Sequence, residues 1–558
     1  MENTNLRKVD DEQSRRHTRV VRLISSLSLA GLAAACFLVA AHSPSAAQEG
    51  SAGTMPVDPN VLAPATPQAK GASHYGEWWR IPEDNKLLVV PEDEYLRWPL
   101  PAGDEKYASV KGEDLKKIEL QIVAISEKSK ADGNQLWGRI AGTEYDHMAG
   151  DWVKKDFERI GLDVHQEKQS LPPEWFPTHW TAAVEFDGKS LPVTSAMPIP
   201  NSVGTNGKSL DVPIVYLDQG WPADFKGRDV RGKAVLMYSL ATPGGEDQVR
   251  IWGGAPERAA AAGAALVIEM LSLPGGATNF HGNAAPGVPS IVVSYDEGLA
   301  IQQAIEAGKD PKFNLNLTVE EKAGLTTETT WGILPGMTDE KIIFLAHHDA
   351  YFDGAMDNAT GMALEHYIAE YWAKKPKSER RRTMVFMDTP LHHTFTIKEP
   401  LTNVGARWLR DNVDKLFPNT VTVFNCEHTT ETQFDMFGAG IMSTNTTVAH
   451  PFWVDGSEDY KKMIKSTLRE FGVATYTIRE PAPGGELGQT QFYRTFPAFH
   501  IINRHIYHTT MDTPDWTPAA GQESSARAYL KILDTLNGWD KAKIWGDWKP
   551  TPTTSTAF

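Results

Sequence analysis

The chain has 558 residues, a formal net charge of −16, and 41% hydrophobic and 23% charged residues. That composition belongs to a folded globular protein of two to four domains and excludes a chain disordered throughout. The acidic balance argues against nucleic acid or an anionic membrane as the main partner.

The first 47 residues read as a secretory signal. Arg15, Arg16, Arg19 and Arg22 form a basic lead, residues 23–41 are an apolar run, and Ser45, Ala46 and Ala47 supply small residues at a cleavage site. The competing reading is a retained anchor, since the apolar run is nearly long enough to span a bilayer. An exported chain, periplasmic or secreted, is the expectation. Only Cys36 and Cys426 exist, so cleavage leaves Cys426 alone and stability must come from the core. Residues 48–70 are rich in Pro, Ala and Gly and read as a linker. Tryptophans cluster near both ends (Trp78, Trp79, Trp98; Trp539, Trp545, Trp548), which reads as packing of the terminal segments.

Apolar spacing predicts helices over 113–129 and 145–160, the second ended by Gly161, and then a strand from Val164. The texture changes near residue 206. Residues 211–217, 232–238, 264–268 and 288–293 read as strands, and 257–263 and 296–307 as helices. From Thr327 the first texture returns, with strands at 328–333, 341–346 and 383–387. A helix at 362–372 has Leu364, Ile368 and Trp372 on one face. The basic run 374–382 reads as a solvated loop. Strands alternating with helices imply an α/β fold built on a mixed, largely parallel sheet flanked by helices. Ligands then bind beyond the carboxyl ends of the strands.

The richest stretch, FLAHHDAYFDGAMDNATG, begins where a buried strand ends. Imidazole nitrogen and carboxylate oxygen suit borderline metals such as zinc, and one carboxylate can bridge two ions. His347 as ligand, Asp349 as its orienting partner and Asp357 as bridge form a sensible set. "HHDAYFDGAMDNATG" closely resembles the metal motif of the co-catalytic di-zinc exopeptidases. That family includes bacterial leucyl aminopeptidases, glutamate carboxypeptidases, glutaminyl cyclase and the transferrin receptor. Two later phrases match it in order: "VTVFNCEHTT", with Glu427 at a ligand position, and "FPAFHIINRHIYHTTMDTPDW", with His508 as the closing ligand. The resemblance implies a zinc-exopeptidase-like phosphorylase/hydrolase fold and two zinc ions. One would be held by Asp357, His347 and Glu427, the other by Asp357, His508 and one further residue. The phrases "DVRGKAVLMY", "RAAAAGAALVIEM" and "GVPSIVVSYDEGLAIQQAI" resemble the protease-associated domain, a β-rich α/β module without catalytic groups. The implied organisation is a signal (1–47), a linker and N-terminal extension (48–111), a catalytic domain in two parts (112–205 and 319–545), an inserted protease-associated domain (206–318) and a tail (546–558).

One departure matters. Where the family carries Glu-Glu, as base and ligand, this chain has His392-His393. In one reading His393 ligates metal and His392 is the general base, roles that imidazole suits. In another, catalysis is altered or lost and the protein is a binding protein or cleaves a different amide. A third lets Glu399 re-enter the site. The segment GGELGQTQF, expected near the substrate terminus, lacks the family's acidic-aromatic pattern, and Glu486 in it is either a binder of an α-amine or, the favoured reading, a solvated loop residue. Cys426, beside Glu427, reads as packing rather than as a nucleophile. The expected activity is hydrolysis of a peptide or small amide by a metal-activated water, as in an aminopeptidase; a cyclase-like acyl transfer is the weaker enzyme reading.

Overall fold

The computed structural model describes residues 96–551, apart from 240–253, 274, 283, 391, 394–403, 438–439, 478–481 and 504. The expected signal, Trp78, Trp79, Cys36, Glu399 and the linker at 48–70 lie outside the described residues.

In chain order the strands are β1 (Gly138–Arg139), β2 (Asp163–Ser170), β3 (Glu174–Phe186), β4 (Lys189–Pro192), β5 (Met197–Pro198), β6 (Leu210–Tyr216), β7 (Ala234–Tyr238), β8 (Leu266–Met270), β9 (Ser290–Val293) and β10 (Lys312–Lys322). They continue as β11 (Thr326–Leu334), β12 (Lys341–His347), β13 (Ala350–Tyr351), β14 (Thr383–Thr389), β15 (Thr420–Asn425), β16 (Thr432–Phe437), β17 (Gly440–Thr447), β18 (His450–Asp455), β19 (Thr475–Thr477) and β20 (Ala498–Ile501). The main helices are α1 (Gly112–Ala131), α2 (Glu144–Ile160), α3 (Ala255–Ala261), α4 (Tyr295–Glu306), α5 (Thr360–Ala373), α6 (Val404–Leu416), α7 (Glu458–Glu470), α8 (Gly485–Gln489), α9 (Phe492–Thr495), α10 (Ala519–Gly538) and α11 (Lys541–Trp545).

The first eight-stranded sheet has the order β19-β18-β20-β15-β12-β14-β11-β2. Its centre, β20-β15-β12-β14, is parallel, whereas β11 joins β14 and β2 antiparallel and β18 joins β20 antiparallel. The sheet is therefore mixed, with its parallel part in the middle. The central strands are apolar on both faces, as a sheet covered on both sides requires. Along β12, Ile342, Phe344 and Ala346 face α1, α2, α5 and α10, while Ile343 and Leu345 face α6, α8 and α9. Burying one such side chain contributes on the order of 2 kcal/mol.

The second eight-stranded sheet, β4-β3-β10-β6-β7-β8-β9-β5, has a parallel core of β6 to β9. Strands β3, β4 and β5 belong to it although they precede the change in texture at residue 206. Local texture does not reveal this, because β3 is held by distant β10 along a register running from Glu185↔Lys312 to Glu174↔Lys322.

One expectation is corrected and another holds. The basic run after α5 is not simply a solvated loop, because Arg380 and Arg382 are buried. Arg382 donates to the carbonyls of Leu536 and Trp539 and pairs with Glu340 at 2.9 Å, and Arg380 donates to those of Trp372 and Lys375. These cations satisfy carbonyls at the ends of α5 and α10, where the helix dipoles favour positive charge. The terminal tryptophans do pack: Trp545 donates to the Val421 carbonyl and Trp548 to Asp455, although Trp98 stays 48% exposed. No helix among the described residues is long and apolar enough to cross a membrane.

Candidate metal centre

Residues far apart in sequence converge at the carboxyl ends of β12, β14, β15 and β20. His347 ends β12, His392 and His393 follow β14, Glu427 and His428 follow β15, and His508 lies in the loop after β20. Asp357 sits in a non-helical segment just before α5, and its peptide to Asn358 is cis. The loop leading to it is pinned from below. The buried Arg139 guanidinium donates to the carbonyls of His348, Asp353 and Gly354 at 2.7, 3.0 and 3.0 Å. Asp512 accepts from the backbone N–H groups of Met356 and Asp357 at 2.6 and 3.1 Å.

Asp357 is the hub. Its Oδ1 lies 3.3 Å from His347 Nε2 and 2.9 Å from His428 Nε2, and its Oδ2 lies 3.1 Å from His393 Nε2 and 3.3 Å from His508 Nε2. Each oxygen thus faces two imidazoles, the layout of a carboxylate bridging two ions. Donors on a tetrahedral zinc, at about 2.0–2.2 Å from it, lie roughly 3.3 Å from one another, close to these separations. The Nε2 atoms of His347, His393 and His508 and Oε1 of Glu427 are buried without a hydrogen bond. Polar atoms so placed are costly unless something binds them. The donor set therefore fits divalent metal.

Asp349 is placed differently from the expectation. Its carboxylate stands 3.7 Å from His347 Nδ1, which instead meets the Asp349 backbone carbonyl at 3.0 Å. The carboxylate accepts from the backbone N–H groups of His392 and His393 at 3.0 and 2.7 Å and lies 3.1 Å from His393 Nδ1. It thus orients the paired histidines more than it orients His347. Glu427 groups with His347, His392 and Glu486 rather than with Asp357, and His428 takes the place beside Asp357. The solvated reading of Glu486 is wrong: α8 carries it into the core, where it is fully buried and touches His392 Nδ1. Gly485 permits that approach. Its φ is +58°, and a Cβ there would sit 1.8 Å from Glu427 Oε2. His392 also stacks on His347, with ring centroids 4.2 Å apart, and its Nε2 lies 3.6 Å from Glu427.

Sequence reasoning missed His428, Glu486, Asp512 and Arg139. His428 and Asp512 stand inside quoted motifs, next to or near named ligands, so their position was a signal. Nothing local marks Arg139.

Electrostatics follow from crowding anions and imidazoles in a dry pocket. Burial pushes the Asp357 carboxyl up, but His393, His428 and His347 hold it well below the usual range. Burial disfavours the His393 cation, yet Asp357 and Asp349 outweigh that and push its pKa up to about 10. His392 is pushed down to about 4 by burial and by the charge on His393. Protons on His393 and His428 occupy the place of cationic charge that a metal would bring, so metal and protons compete. Beneath the pocket Cys426 is fully buried, and burial pushes its thiol well up, which leaves it inert as a nucleophile.

No curated protein matches the sequence. Residues 330–532 match the model of Peptidase family M28. That stretch is similar to a peptidase family M28 domain. Among solved structures, the Peptidase M28 precursor from Shewanella amazonensis SB2B is similar at 16% identity and a TM-score of 0.56, covering 81% of this chain and 100% of that one. The zinc aminopeptidase BSAP from Bacillus subtilis is similar at 17% identity and a TM-score of 0.51, again over 81% and 100%. At such identities the likeness is one of fold. The M28 domain contains every residue facing the pocket from the strand ends, His347 to His508, whereas Arg139 and the second sheet lie outside it.

Proposed function

We propose that the protein is an exported, zinc-dependent exopeptidase of the aminopeptidase type, acting on peptides or small amides with two ions. The observation that carries this reading is the Asp357 carboxylate with two imidazole nitrogens on each oxygen. His347 and His428 would hold the ion at Oδ1, with Glu427 beside them; His393 and His508 would hold the ion at Oδ2. Bound there, zinc supplies Lewis acidity, which makes water more acidic and a peptide carbonyl more electrophilic.

The protein's own groups do the rest. Asp349 fixes His392 and His393 through their backbone N–H groups. Glu486 rests against His392 Nδ1 and leaves Nε2 turned toward Glu427. A neutral His392 so held is a base: it takes a proton from water at Nε2 and returns it to the departing amine. The carboxylate behind it does for this histidine what an orienting acid does in other catalytic pairs. Export is supported by the basic lead, apolar run and small-residue site of residues 1–47. The strands and helices within 206–318, with the phrases quoted above, support an inserted protease-associated domain that shapes substrate access.

A second reading keeps the metal-like pocket but assigns binding without catalysis, and it rests on the replacement of Glu-Glu by His392-His393. Metal analysis of the purified protein, with hydrolysis of aminoacyl p-nitroanilides before and after chelation, separates the two. Two zinc ions per chain and chelator-sensitive hydrolysis are expected. A folded protein that binds no zinc sinks the hydrolase reading; zinc without hydrolysis of any aminoacyl or peptide substrate favours the binding protein.

A further inference from the structure

The second sheet reaches the pocket. The segment after β8 leaves that sheet and pairs with the loop that carries His508. Phe280 N–H donates to the His508 carbonyl at 2.9 Å, Thr510 N–H donates to the Thr278 carbonyl at 2.9 Å, and Asn279 bridges antiparallel to Thr509. The contact is sealed by apolar packing: Leu271, Leu273 and Ala277 share a cluster with Met356, Ile506, Met511 and Trp516. The backbone of His508 is left-handed, with φ +57°, so this pairing holds a conformation that a histidine seldom adopts alone. At the end of the segment His281 places Nδ1 3.1 Å from His508 Nδ1.

Two imidazole nitrogens at that distance share one proton, with one as donor and one as acceptor. His508 Nε2 is the nitrogen that faces Asp357, at 3.3 Å and with no hydrogen bond. For Nε2 to offer a lone pair, the His508 proton must sit on Nδ1. Nδ1–H then donates to His281 Nδ1, which must be the acceptor, and His281 carries its own proton on Nε2. We infer that His281, a residue of the second sheet's loop outside the M28 domain, is the positioning partner of His508. It sets the tautomer and ring orientation of that ligand. The inference rests on the metal-binding reading above. It gives a lobe expected to be chemically silent a direct hold on the centre: the outer partner of a ligand histidine is usually a carboxylate, carbonyl or water, and here it is another imidazole.

The test measures zinc affinity and the visible spectrum of the cobalt-substituted full-length protein for wild type, His281→Phe and His281→Asn. Phe keeps an aromatic ring against Tyr507 and His508 but accepts no hydrogen bond; Asn puts a carbonyl oxygen where Nδ1 was. The expected result is a loss of affinity for one of the two ions of about 10–100-fold in the Phe variant, with a changed cobalt spectrum. Asn is expected to restore both. If His281→Phe binds as tightly as wild type, or if Asn is as weak as Phe, the positioning role is overturned. If wild type itself binds no zinc, the metal reading fails and takes this inference with it. Circular dichroism checks folding; should the Phe variant misfold, His281→Ala replaces it in the comparison with Asn.

Discussion

Two residues decide whether the pocket is a metal centre and whether it is a catalyst. Asp357→Asn preserves shape and removes the anion that faces four imidazoles. We expect zinc content to fall below one ion per chain and hydrolysis to drop by ~10³ or more, as for loss of a main electrostatic stabiliser; two retained ions would remove Asp357 from the bridging role. Glu486→Gln keeps the volume beside His392 and removes the charge. Here zinc should stay and kcat should fall by roughly 10²–10⁴, the span of general-base contributions. At this scale the sequence was informative wherever the motif is contiguous. His347, Asp349 and Asp357 lie within one string, and Glu427 and His508 within phrases of recognisable order. Glu486 was misread because a Gly-rich segment looks solvated, and only the tertiary path of α8 buries it.

Elements fix where these residues stand. The turn into α8 depends on Gly485, whose left-handed backbone and missing Cβ let Glu427 and Glu486 lie side by side. Gly485→Ala should cost about 1–3 kcal/mol for the backbone conformation alone and also push Glu427 aside. A lower melting temperature together with weaker zinc binding is expected; a variant with wild-type values of both would show that the turn tolerates a Cβ. The central strands were legible because they are apolar on both faces and stop at polar clusters, the mark of a covered parallel sheet. The flanking strands β2 and β11 were legible as strands, but their antiparallel pairing was not, and neither was β18 nor the recruitment of β3 to the second sheet. Pairing partners that lie more than a hundred residues away, as for β3 and β2, leave no local periodicity to read.

Across the whole molecule, stability should depend on both pH and metal. Glu269 on β8 is 4% exposed, and burial alone raises its pKa to about 8 from 4.5. A raised pKa means that its contribution to stability is complete below pH 4.5 and is lost as pH rises through about 8. Glu269→Gln, neutral at every pH, should therefore melt like wild type near pH 5 and be more stable by roughly 2–4 kcal/mol at pH 9. Parallel melting curves for the two proteins across that range would mean that Glu269 ionises without penalty. Chelation should lower the melting temperature of wild type, because only the folded chain gathers the donors, and should lower that of Asp357→Asn much less.

The donors arrive in the order in which the chain is made: His347 at the end of β12, Glu427 after β15, and His508 only after β20, the last strand among the described residues. A ribosome-bound chain that has not yet passed residue 508 lacks one wall of the pocket. Any molecule truncated before that point, by a premature stop or by proteolysis, lacks the same wall. Metal loading of this pocket would in this sense report on synthesis: a molecule that fills it has been made, and kept, past residue 508.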